Sequence, residues 1–385
     1  MANIKGRYQA VDALRGLIMV LMAIDHASAF IARQHSSEFW AGAMTRYTST
    51  FAFWTRWVTH LCAPGFFFLM GAGIYWFAAS RQQAGWSAGR VARRTTLRGL
   101  AIFLVGQVLE GPVLFLQGQL KPAAAVLSRT SAPPPIDGTA LYWGFITLSG
   151  LGLVMIACAL LLRLPRWTWI ATVAGCVFAT NSLLPASGKP GPVWETILLA
   201  PGLSHHLMVV YPVLPWLAVS ATGMYFGYWW RANPQVAEKR FWMIGVAMLV
   251  VAVVLRAAGG WGNIRLPRDG SWIEFLNNVK YPPSLVFWTM SVGIDLLLLW
   301  VLMRLPKKLL GERSPLIVFG QTPLFFYLAH FYLLFVFALA LFHEAGSLEM
   351  AYVMWVVALL VMYPVCLAYR GFKAGKPTES FWRLF

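Results

Sequence analysis

The sequence predicts an all-α fold, a polytopic integral membrane bundle of about ten helices that forms a single domain over residues 1–385. Three observations predict it. Hydrophobic residues make up 59% of the chain and charged residues only 12%, far below the charged share of a soluble domain. The apolar residues gather into runs near twenty residues, the length that crosses a bilayer as a helix. Lys and Arg concentrate in one alternate set of connections, which places both termini on the cytoplasmic side.

Taken in order, the runs are 11–31, 57–79, 98–117, 139–163, 167–185, 206–230, 240–258, 282–303, 315–342 and 350–370. The connections assigned to the cytoplasm are short and basic, as at Arg90, Arg93 and Arg94 and at Lys307 and Lys308. The opposite loops are longer: 118–138 holds a Ser-Ala-Pro-Pro-Pro run, and 259–281 holds Trp261, Asn263, Trp272 and Asn277. Loops of that length with aromatics bind more often than they merely connect. The third run places Glu110 before Gly111–Pro112, and the ninth is overlong and is expected to tilt or break at Pro323. His205 and His206 read as interfacial.

The first run organises the polar groups. It holds Asp12, Arg15, Asp25 and His26, and each such side chain at membrane depth costs about 2.5–3.5 kcal/mol. At helical spacing Asp12, Arg15, Met19, Met22 and His26 share one stripe, while Asp25 points elsewhere. Arg15 and His26 are separated by about 16 Å along the axis, so the stripe must face the protein interior. With the N terminus inside, Arg15 falls in the inner leaflet and His26 in the outer half. His60, Glu110, Tyr281 with Lys280, and His330 join His26 there, and Gln321 and Asp295 fall on the inner side. Plain structural roles compete: Asp12 and Arg15 suit a local ion pair, Glu110 a kink cap, and His60 and His330 helix packing.

Net charge is +17. In a membrane protein this describes anionic lipid as the partner of the basic loops and excludes nucleic acid. Cys62, Cys158, Cys176 and Cys366 lie inside apolar runs without paired spacing, so they read as packing residues, and no metal site is expected. The charges inside the first run also argue against a cleaved signal peptide.

Four separated segments carry a resemblance. These are Asp12–Ala13–Leu14–Arg15–Gly16 running on to Asp25–His26, Thr59–His60–Leu61–Cys62–Ala63–Pro64 before Phe66–Gly71, Lys280–Tyr281–Pro282–Pro283–Ser284, and Phe319–Gly320–Gln321–Thr322–Pro323 running on to His330. In that order, over nearly the whole chain, they resemble a bacterial family related to the heparan-alpha-glucosaminide N-acetyltransferase catalytic domain. Arg15 and His26 also match the Arg-x10-His spacing of a wider superfamily of membrane acyltransferases. The resemblance implies a multi-pass enzyme of the bacterial inner membrane. It takes an acyl group from cytoplasmic acetyl-CoA or another acyl-CoA and passes it to a glycan or amino-sugar acceptor on the far side, with room for a homodimer.

On that reading His26 is the general base or acyl carrier, with Asp25 or Glu110 setting its tautomer if near. Tyr281, Lys280, His60 and His330 are candidate oxyanion donors. Arg15, with Asp12, Gln321 and Lys280, belongs to the acyl-CoA site. The competing expectation is a proton-coupled transporter or exporter of a small or lipid-linked substrate, with Asp25, His26, Glu110 and His330 as the relay.

Overall fold

The computed structural model describes residues 2–35, 38–42, 44–47, 49–119, 143–189, 191–204, 207–306, 308–377, 380 and 382. Most of the 118–138 loop, His205 and His206 lie outside the described residues.

Helix α1 runs Ala2–Phe30. The second run begins earlier than its apolar composition suggests, with α2 (Thr50–Trp57), a tight turn Val58–Leu61 and α3 (Cys62–Gln83). Ser49 starts it by accepting a hydrogen bond from the Ala52 N–H at 3.1 Å, satisfying a backbone donor that no earlier turn can reach. Next come α4 (Ala88–Val105), a wide turn Gly106–Glu110 and α5 (Gly111–Gln119). The run at 139–163 resolves into strand β1 (Trp143–Phe145) and α6 (Thr147–Leu161). After α7 (Trp167–Ser182) and the short α8 (Val193–Leu198), strands β2 (Gly202–Ser204) and β3 (Leu207–Val209) join β1 in a small sheet of order β1-β3-β2.

The remaining helices are α9 (Val213–Ala232), α10 (Pro234–Ala258), the short α11 (Trp272–Leu276), α12 (Leu285–Leu302), α13 (Pro315–Gln321), α14 (Pro323–Leu341) and α15 (Leu348–Ala374). The ninth run does break: Thr322 leaves helical geometry at φ −125°, ψ 42°, and Pro323 starts a new helix where its missing N–H costs nothing.

The described residues are thus nearly all-α, and among them seven helices are long and apolar enough to span a membrane. The other three expected runs hold α6, α7 and α9, of 15, 16 and 20 residues. Neighbours cross closely through small residues, since lipid gives helices no hydrophobic reason to associate and close backbone contact must do so instead. Gly99 meets Gly152 between α4 and α6, and Gly245 meets Gly293 between α10 and α12. Between α1 and α13 a side chain on Gly16 would strike the Leu316 backbone, and one on Gly320 would strike Asp12. This crossing brings the broken segment against the charged start of α1. Asp12 bonds Gln321, and Gln321 in turn meets Arg370 and Lys373 near the end of α15, so the first and last helices reach the same end of the bundle.

Candidate active site

Three polar clusters lie along α1. The first is built on the crossing with α13. Arg15 Nη1 donates to Asp12 Oδ1 at 3.0 Å and to the Gly320 carbonyl at 2.9 Å. The break after Gln321 strips that carbonyl of its helical partner, and a cation is a favourable replacement at a helix C terminus. Gln321 Nε2 donates to Asp12 Oδ2 at 3.2 Å, while its own carbonyl oxygen accepts from Lys373 at 3.4 Å.

A cavity of about 520 Å³ opens beside this cluster. Arg15, Arg81, Trp86, Arg94, Arg98, Gln321 and Lys373 line its polar mouth. The lining itself holds no carboxylate, and Asp12 behind Arg15 offsets only one of its five cations, so the mouth keeps a net positive field. Much of the lining is apolar, from Met19, Phe66, Leu69, Ile102, Leu151 and Met155, and the buried Leu148 and Tyr327 mark its deep end, beside Thr147.

The second cluster surrounds that deep end. His26 Nδ1 and His330 Nε2 are 2.8 Å apart, and His330 Nδ1 lies 2.7 Å from the Phe326 carbonyl. Phe331 packs edge-on against the His26 ring at 4.7 Å between centroids. Tyr327, one turn before His330, stands edge-on to His26 at 5.9 Å and donates its phenolic hydrogen to Glu110 Oε1 at 2.5 Å. The other Glu110 oxygen accepts the Leu148 N–H at 2.9 Å. Glu110 therefore caps the N terminus of α6, where an anion is favoured; the wide turn Gly106–Glu110 aims it there. His26 is half-buried and does not itself line the cavity, so Tyr327 is the side chain between them.

The third cluster is buried at the opposite end of the bundle from the mouth. Arg56 reaches Asp25 at 2.7 and 2.9 Å and Glu38 at 3.0 and 2.7 Å. Thr59 and His35 complete the shell of Asp25 at 3.0 and 3.3 Å. His60 Nε2 is 3.4 Å from Glu38 Oε1. The Glu38 carbonyl accepts from the backbone N–H groups of Lys280 and Tyr281 at 2.9 and 3.0 Å, which draws the 279–284 segment against the loop that follows α1. Lys280 is buried, with its ammonium 5.2 Å from the Tyr281 ring centre, and Tyr281 shares a 3.2 Å hydroxyl contact with Tyr211.

The sequence-predicted residues therefore do not form one pocket. His26 and His330 meet directly and Tyr327 links them to Glu110; Asp25, His60, Lys280 and Tyr281 belong to the Arg56 cluster; Arg15 and Gln321 line the mouth, with Asp12 bonded to both from behind. The partner of His26 Nδ1 is His330, whereas Asp25 is occupied by Arg56 and Glu110 by Tyr327 and Leu148. Sequence reasoning missed Tyr327, although its i, i+3 spacing from His330 was a usable signal. It also missed Glu38, Arg56, His35, Arg98 and Lys373.

The sequence profile of a family described as "Heparan-alpha-glucosaminide N-acetyltransferase, catalytic" matches residues 7–259, well over half of the chain. The chain belongs to that family. It is accordingly a member of a transmembrane acetyltransferase family, and the match contains Arg15, Asp25, His26, Arg56, His60 and Glu110. The heparan-alpha-glucosaminide N-acetyltransferase profile ends before Lys280, Tyr281, Gln321 and His330, so the last two of the four resembling segments fall outside it. Comparison with curated proteins gives no match.

Proposed function

We propose that this protein transfers an acetyl group from acetyl-CoA, entering at the cytoplasmic face, to a sugar hydroxyl or amine on the far side, with His26 as general base or acyl carrier. The observation that carries this reading is the cavity: its mouth collects five cations, and its deep end reaches the phenol that abuts His26. A donor with several phosphates and a long, largely neutral arm suits those two regions in that order. Arg15, Arg94 and Arg98 pair with phosphate, for which guanidinium geometry is well matched, and the arm follows the apolar wall. Only the acyl group then moves beyond Tyr327.

In the direct route the imidazole of His26 accepts the acceptor's proton while that oxygen or nitrogen attacks the thioester carbonyl. The carbon–sulfur bond then breaks, and the departing thiolate takes the proton from the imidazolium. In the stepwise route an imidazole nitrogen of His26 attacks the thioester carbonyl and the carbon–sulfur bond breaks to release the thiolate; the acceptor then attacks the acetyl-imidazole, the carbon–nitrogen bond breaks, and the acceptor's proton passes to the thiolate. Lys280 and Tyr281, beyond His26, are the proposed contacts for the acceptor and for developing negative charge.

Acetyl-CoA at 100 times its Kd should stabilise the detergent-solubilised protein by about 2.7 kcal/mol, read as a rise in melting temperature. His26→Ala should keep that rise and lose transfer. Absence of any stabilisation at saturating acetyl-CoA would overturn the reading in favour of the transporter alternative. One observation does favour that alternative: Asp295, in the middle of α12, is buried with neither carboxylate oxygen hydrogen-bonded, as a proton-carrying site would be.

A further inference from the structure

The geometry points to His330 as a positioning residue that holds His26 in the tautomer with its hydrogen on Nδ1, leaving Nε2 as the atom that takes the acceptor's proton. This rests on the role proposed for His26 and adds how that role is enforced. A carbonyl oxygen can only accept, so the 2.7 Å contact between His330 Nδ1 and the Phe326 carbonyl places a hydrogen on His330 Nδ1. A neutral imidazole carries one ring hydrogen, and His330 Nε2 is then a lone-pair acceptor. Its 2.8 Å neighbour, His26 Nδ1, must supply the hydrogen between them.

The alternative puts hydrogens on both nitrogens of His330. That would leave a full charge on a side chain with no solvent exposure and, among the described residues, no carboxylate within the 4 Å of an ion pair; such burial is costly without a partner. The ring centroids are 5.1 Å apart around a 2.8 Å N···N contact, so the two nitrogens lie nearly on the line between the ring centres, as an in-plane N–H···N bond places them. Phe326 stacks on His330 at 4.9 Å and Phe331 stands against His26, so neither ring is free to flip. The arrangement is a relay of fixed direction, from His26 to His330 to a helix carbonyl. It gives His330 the orienting duty that a carboxylate performs in other histidine-based sites.

Two readouts test it. In protein labelled with 15N in the histidine rings, with His26 assigned by its loss in His26→Gln, Nδ1 should appear as the protonated nitrogen and Nε2 as the bare one. In transfer from acetyl-CoA to glucosamine as the acceptor probe, His330→Leu should lower kcat about 100-fold, within what a correctly presented base supplies, with KM for acetyl-CoA unchanged. His330→Gln, whose Oε1 stands where Nε2 stood, should restore most of kcat. A wild-type spectrum with the hydrogen on His26 Nε2, or a Gln variant as slow as the Leu variant, overturns the relay. Should His330→Leu not fold, the wild-type spectrum and the Gln variant still decide. If acetyl-CoA is not a substrate at all, the function proposed above fails, and the spectrum alone confirms or refutes the tautomer.

Discussion

Glu38 is the side chain on which the far-end cluster turns, since it meets Arg56 and His60 through its carboxylate and Lys280 and Tyr281 through its backbone. Burial works to raise its pKa, but the charge of the Arg56 guanidinium and the His60 contact outweigh it and hold the carboxyl well below the usual carboxylate range. A depressed folded value contributes stability that is complete above the unfolded value, about 4.5, and is lost as pH falls through the folded one. Glu38→Gln should therefore cost about 3–5 kcal/mol at neutral pH, because Arg56 is left half-paired in the interior. Melting curves of the two proteins should converge only as the pH drops below about 4.5; a gap that stays constant into acid would contradict the ion pair. Tyr327→Ala should join the cavity to His26, and steady-state assays should show acetyl-CoA hydrolysis without acceptor rising as water gains access. Asp12, Arg15, Asp25 and His26 were legible because a charge stands out within an apolar run. Glu38 and His35 were not, because they sit in a loop where polar residues are ordinary. Arg56 hid at the edge of a run, where its obvious reading is interfacial.

Among the elements, the decisive one is the span broken at Thr322, whose free carbonyls recruit Arg15 and Lys373 to the cavity mouth. Pro323 announced that break in the sequence, since proline cannot continue a helix without losing a bond. The wide turn before Glu110 and strand β1 were hidden, because apolar composition does not distinguish a helix from a strand that packs beside it. Likewise the 139–163 run counted as a full span, yet its helix is 15 residues long. The crossing of α1 with α13 depends on Gly16 and Gly320, where an added methyl meets backbone that has no rotamer to retreat into. Gly16→Ala should destabilise by about 1–3 kcal/mol, and by prising Gly320 from Arg15 it should raise KM for acetyl-CoA more than it lowers kcat. Gly73 is the contrasting case, for it lines the cavity with nothing within 4 Å of the position its Cβ would take. Gly73→Phe should leave the melting temperature of the free protein near wild type and abolish the rise caused by acetyl-CoA. A retained rise would mean that the donor does not occupy the cavity.

At the level of the whole molecule, net charge is +17, and the five cations gathered at the cavity mouth bear on direction. The cavity mouth, the turn at Ala84 between α3 and α4, and the end of α15 share the basic end, whereas the 259–281 loop lies at the Arg56 end, where Arg268 bonds the carbonyls of Met44 and Thr45. If basic residues mark the cytoplasmic side, the donor enters from within the cell. All four native cysteines are buried, so single cysteines placed at exposed sites report sidedness cleanly. A membrane-impermeant maleimide applied to intact cells should label Gly270→Cys and spare Ala84→Cys, and inverted vesicles should reverse the pattern. The same vesicles carry the functional half of the test. Acetyl-CoA outside inverted vesicles should drive transfer to a sugar sealed within, and its apparent KM should climb with added salt as the phosphates and the five mouth cations are screened. Acetyl-CoA outside right-side-out vesicles should do nothing. Transfer in that second arrangement would place the basic mouth on the outer face and reverse the proposed direction of the enzyme.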